Sequence, residues 1–113
     1  MPVDSIFLDY SARKLEQLVA RVGECLRRLT PEQIWWRAGE ESNAIGNLAL
    51  HLAGNVRQWI VAGVGGAADE RDRDGEFAAR GSGADLVALL VETVDEAVAV
   101  IRAEQDLSRR VVI

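Results

Sequence analysis

The sequence has only one histidine and one cysteine in 113 residues, and it carries no surplus of positive charge. Each shortage excludes something. A lone cysteine, Cys25, leaves no internal disulfide to form. It falls on the apolar stripe of a helical pattern, so a buried core thiol is expected rather than a nucleophile, which needs exposure and nearby positive charge. The 13 basic residues against 18 acidic ones give a net charge of −5, which leaves no basic stripe to neutralise the phosphates of a nucleic acid. The same balance argues against an anionic membrane surface. No apolar run approaches the ~20 residues that span a bilayer. Met1-Pro2-Val3-Asp4 lacks the basic start and apolar run of a signal peptide. A cytoplasmic protein of one domain, residues 1–113, is the expectation. No internal repeat and no strand-turn-strand pattern is present.

Helical periodicity fills most of the chain. From about Ser5 to Leu29, the residues Leu15, Leu18, Val19, Val22, Cys25, Leu26 and Leu29 recur at three- and four-residue steps, which places them on one helical face. Thr30-Pro31-Glu32-Gln33 reads as a fresh helix start: Thr30 caps, Pro31 suits the first helical position, and Gln33 can reach back as in a capping box. Ile34, Trp35 and Trp36 follow, and the aromatics are expected to pack over one end of the core. After a polar loop, Arg37 to Ser42, either Ser42 or Asn43 can cap a helix running to about Ala62. Its stripe is Ile45, Leu48, Ala49, Leu52, Val56, Trp59 and Ile60, and Gly63-Val64-Gly65-Gly66 ends it. Residues 67–83 read as a charged loop, and at about 17 residues it is long for a connection in a compact domain. A third long helix is expected from about Ala84 to Glu104, with Leu86, Leu90, Val94, Val98 and Ile101 as its stripe. The tail ends in Val111-Val112-Ile113, strand-like in composition but too short to build a sheet. The fold expected is all-α, an up-down bundle of three long helices and one short one.

The chemistry is concentrated in the central helix. Successive helical residues turn by about 100°, so Asn47, His51 and Asn55 stack along one line beside the apolar stripe, with Gln58 near it. An imidazole there can coordinate zinc, nickel, iron or copper. A neighbouring amide, Asn47 or Asn55, could orient the ring from behind. Gly54 reads as lying near the opposite side, where a small residue permits close approach. One histidine does not make a metal site, because zinc wants three or four protein ligands. The same spacing also suits a packed, hydrogen-bonded histidine.

Other motifs carry less. Glu70, Asp72, Asp74 and Gly75 mimic the opening of a calcium loop, but the twelfth position is Gly81 and two arginines interrupt the acids. Alternating Arg and Asp is expected to form a self-paired surface loop or a lid. The glycines at 63–66 follow a helix rather than a strand, which excludes a dinucleotide site.

The run Asn43 to Ile60 around His51, Gly63 to Gly66, and Arg71-Asp72-Arg73-Asp74-Gly75-Glu76-Phe77 resembles the DinB-like superfamily, closest to a bacterial branch of unassigned function. The Leu29-Thr30-Pro31-Glu32-Gln33-Ile34-Trp35-Trp36 run fits the same pattern. The resemblance implies a four-helix bundle, often dimeric, with a divalent metal held by three histidines. The first corresponds to His51, and the other two lie four residues apart on the fourth helix. It also implies thiol-dependent transferase or isomerase chemistry with a low-molecular-weight thiol. The paired histidines have no counterpart up to Ile113, so the metal site is expected to be incomplete in this chain. A second chain supplying a fourth helix, or a homodimer, is the expected partner. A non-catalytic association module, or an inactive truncated bundle, is the alternative.

Overall fold

The computed structural model describes residues 3–81 and 85–111. In chain order the elements are α1 (Val3–Arg27), α2 (Pro31–Ile34), α3 (Ile45–Val56), a π-helix that prolongs α3 (Arg57–Val64), α4 (Arg73–Ala78) and α5 (Leu86–Ala103). Among the described residues there is no strand, and no helix is long and apolar enough to cross a membrane. The chain is an all-α bundle of three long helices. The expected helix start at Ala84, the loop end at Gly83 and the terminal Val112-Ile113 lie outside the described residues, as do Met1 and Pro2.

Local signals explain several boundaries. Gln33 N–H donates to Thr30 Oγ1 at 3.2 Å and Thr30 N–H donates to Gln33 Oε1 at 2.9 Å, the reciprocal capping box, with Pro31 opening the helix. Neither Ser42 nor Asn43 caps α3. Ala44 holds that position, and Asn47 reaches back from inside the helix to accept the Ala44 N–H at 3.0 Å. The helix runs past Ala62 to Val64, and Gly66, at φ +79°, takes the left-handed conformation that turns the chain away. The charged stretch is not all loop. Asp72 accepts the Gly75 N–H at 3.0 Å and caps α4, whose first turn holds Asp74 and Glu76.

The helix directions account for that stretch's length. Arg102 reaches Asp9 at 3.0 Å and Gly23 lies against Val87, so α5 runs antiparallel to α1. Ala49 and Ala53 pack with Leu86 and Leu90, Arg57 reaches Glu96 at 2.9 Å, and Gly65 meets Val100, so α3 and its continuation run parallel to α5. The alternation of an up-down bundle holds for α1 against the other two, whereas α3 and α5 point the same way. The chain must therefore travel back from the level of Val100 to that of Leu86. At 1.5 Å per helical residue this is about 21 Å, which a tight turn cannot cover.

Helix α5 is the centre. Its predicted stripe, Leu86, Leu90, Val94, Val98 and Ile101, is buried throughout. The other two long helices lean on it, α2 and α4 pack on α3, and α1 and α3 hardly touch each other. The predicted stripe on α3 is consequently turned. Gly46, Asn47, Ala49 and Ala53 are buried, while Ile45, Leu48, Leu52 and Trp59 stay 44–50% exposed. Leu52 and Val56 face Leu15 and Leu18 of α1 across an open apolar groove. Cys25, expected in the core, is exposed. Trp35 packs against the core because Gly46 leaves room, a Cβ there lying 2.7 Å from its ring, whereas Trp36 is exposed.

Candidate functional site

Asn47 fixes the foundations of the site. It is fully buried, and its Nδ2 donates to the carbonyls of Glu76 and Ala79, each at 2.8 Å. Its Oδ1 accepts from Arg37 Nη2 at 2.6 Å as well as from Ala44. Arg37 also donates to the carbonyls of Ser42 at 2.8 Å and Ala79 at 2.7 Å. Desolvation, and then the charge of Arg80, draws the Arg37 pKa below the ordinary arginine value, and its Nε is buried without a partner. These bonds pin the backbone of α4 alongside α3 and join both to the loop after α2.

With α4 held, its side chains meet His51. Arg71 grips Glu76 side-on, Nε to Oε2 and Nη2 to Oε1, both at 3.1 Å. The two side chains are only 9% and 10% exposed, so this is an interior pair and not the self-paired surface loop expected from the alternating charges. His51 Nδ1 lies 3.1 Å from Arg71 Nη2 and 3.3 Å from Glu76 Oε1. Phe77 stands over the imidazole, ring centroids 5.1 Å apart. The chain of contacts extends outward: Arg71 Nη1 donates to Gln58 Oε1 at 2.9 Å, and Gln58 Nε2 to Asp69 at 3.0 Å. The Glu76 carboxylate raises the Arg71 pKa, and the Gln58 hydrogen bond, followed by the Arg71 N–H, lowers that of Asp69.

Gly54 makes the approach possible. A Cβ built there would fall on the Glu76 carboxylate, so any side chain at this position must push that carboxylate out of its pairing with Arg71. Gly54 lies three residues beyond His51 and on the same side of the helix, not opposite it.

The structure sets His51 beside Arg71, Glu76 and Phe77 rather than against the amides of its own helix. Neither Asn47 nor Asn55 bonds the imidazole. Asn47 acts at one remove, holding the backbone of the residue that contacts the ring, and Asn55 is exposed at the cleft. The ring's neighbours, Arg71 and Glu76, come from 20 and 25 residues away, and helical spacing alone could not reveal them. Two signals pointed that way: Gly54, a glycine on the polar face in mid-helix, and the Arg71–Phe77 stretch, whose alternative reading as a lid fits its place beside His51.

The His51 ring, its Nδ1 beside Arg71 and Glu76, lines a cleft of about 460 Å3 together with Asn55, Gln58, Trp59, Arg71 and Arg73. A histidine backed by a carboxylate is the arrangement of many metal-ligating imidazoles. Among the described residues no three His, Cys, Asp or Glu side chains converge, so these residues fit one ligand position and not a whole coordination shell. The arrangement can offer one oriented imidazole to a metal, a proton or a hydrogen-bonding ligand.

A family model described as "Protein of unknown function (DUF1572)" matches residues 3–113. No curated protein and no solved structure matches the chain.

Proposed function

The chain belongs to the DUF1572 family, and from the geometry around His51 we propose that it is a DinB-like bundle in which this histidine supplies one ligand of a divalent-metal site. The observation that carries the reading is the anchoring of Nδ1 by Arg71 and by Glu76 of α4, in a ring that lines the cleft. Zinc or nickel suits an imidazole ligand. The remaining ligands come from outside the described residues, on a further helix of this chain or of a partner. When bound, the metal supplies Lewis acidity for a low-molecular-weight thiol, the chemistry of a thiol-dependent transferase or isomerase. The chain's own part is to hold the ring with Arg71 and Glu76, to cover it with Phe77, and to line the cleft with Trp59 and Arg73. The test is elemental analysis of the untagged natural gene product beside its His51→Ala variant. Stoichiometric divalent metal that disappears in the variant is expected. Equal metal in both, or none in either, refutes the reading.

A second reading, a helical module that associates with a second copy, is favoured by the open groove between α1 and α3 and the exposed Leu18, Leu48 and Leu52. Light scattering over a range of concentrations separates it from a stable monomer.

A further inference from the structure

The corner shared by Arg71, Glu76 and His51 contains two partners with opposite demands. Arg71 Nη2 can only donate, so at 3.1 Å it requires a lone pair on Nδ1. Glu76 Oε1 can only accept while ionised, so at 3.3 Å it requires a proton on Nδ1. Both cannot be served by one tautomer.

Donor accounting decides between them. Arg71 is 9% exposed, and a buried donor left without an acceptor is costly. Nη2 has two N–H groups: one goes to Glu76 Oε1, and His51 Nδ1 is the acceptor for the other. Glu76 loses nothing comparable, because Oε1 and Oε2 already accept from Arg71. We infer that Arg71 fixes the resting tautomer of His51, with the proton on Nε2 and therefore an N–H donor facing the cleft, and that Glu76 is a positioning residue held ready for the other tautomer.

The consequence bears on metal uptake, and this last step alone rests on the metal reading proposed for His51. A ring that carries its proton on Nε2 cannot ligate through that atom. For Nε2 to take a divalent cation, its proton leaves to solvent and Nδ1 takes one up, so the ring stays neutral. The new Nδ1–H then donates to Glu76 Oε1, and Arg71 keeps its hold on the carboxylate alone. Until a cation arrives, the cleft presents an imidazole N–H near the Arg73 guanidinium, a lining suited to an oxygen acceptor such as a carboxylate.

His51 is the only histidine in residues 1–113, so the imidazole 15N spectrum of this 113-residue chain reports this ring alone. With the ring neutral and metal absent, the expected result is a lone-pair signal at Nδ1 and a protonated Nε2. The reverse assignment overturns the inference. Arg71→Met is expected to move the proton to Nδ1, and an unchanged tautomer in a folded variant overturns it too. Glu76→Gln is expected to keep the resting tautomer but, in the natural gene product, to bind added zinc at least tenfold more weakly than the wild type. Equal zinc affinity contradicts the role of Glu76. If zinc does not bind the natural gene product at all, the metal reading fails, and the metal-free spectrum still decides the tautomer.

Discussion

Two residues beside His51 carry opposite lessons about what a side chain costs. Gly54 sits in mid-helix, where alanine is intrinsically better by about 1 kcal/mol. A Cβ there would collide with the Glu76 carboxylate, and forcing extra atoms into a packed site costs roughly 1–3 kcal/mol. Gly54→Ala is therefore expected to destabilise the fold in urea and to disturb the His51 ring signals, and a variant more stable than the wild type would disprove the close approach. Asn47 is the reverse case, a buried side chain whose removal strands several partners. Asn47→Ala leaves the Ala44 N–H and the carbonyls of Glu76 and Ala79 without it, and a loss of about 2–4 kcal/mol is expected in the same measurement. His51 itself was readable from the sequence, as the lone imidazole on a polar line of helix. Its partners were not, because contacts across 20 and 25 residues depend on where α4 docks.

The elements divide in the same way. The capping box at Thr30 was plain because all its parts lie within four residues, and the buried stripe of α5 was plain because this helix is packed from both sides. Helix α3 departs from its stripe because α5 and α4 pack on its small and polar residues while α1 does not cover Leu48 and Leu52, so the buried face lies at Asn47, Ala49 and Ala53. Helix α4 was hidden by its charges, which read as surface until Asp72 proves to be a cap and Glu76 an interior group. At the end of α5, Arg109 bonds both Glu104 and the Val64 carbonyl, tying the following segment to the π-helix. The Arg109 hydrogen bond, with backbone N–H groups from Asp106 and Gln105, lowers the Glu104 pKa from 4.5 to about 2. A lowered carboxyl pKa means that the tie is fully present above the unfolded value and is lost as pH falls through the folded one. Protection of the amides in residues 105–111, referred to the intrinsic exchange rate at each pH, is expected to fall between pH 5 and pH 2 while the core stays protected. Glu104→Gln should abolish that step, and equal protection at both pH values in the wild type would contradict the tie.

For the molecule as a whole, the parallel course of α3 and α5 links fold to site. It forces the chain to return along the outside of the bundle, and the returning segment carries Arg71, Glu76 and Phe77 to His51. Between α1 and α3 an apolar groove stays open. If a second copy covers that groove, Leu52→Glu is expected to leave the helical content intact and shift sedimentation toward monomer, whereas a wild type that sediments as a monomer at every concentration excludes that partner. His51 is the group proposed for chemistry, and X-ray absorption on the zinc-loaded natural gene product is its sharpest test. Imidazole scattering with a nitrogen at about 2.0–2.1 Å from the metal, diminished in His51→Ala, is expected. A spectrum without imidazole, or one unchanged by the substitution, would contradict it.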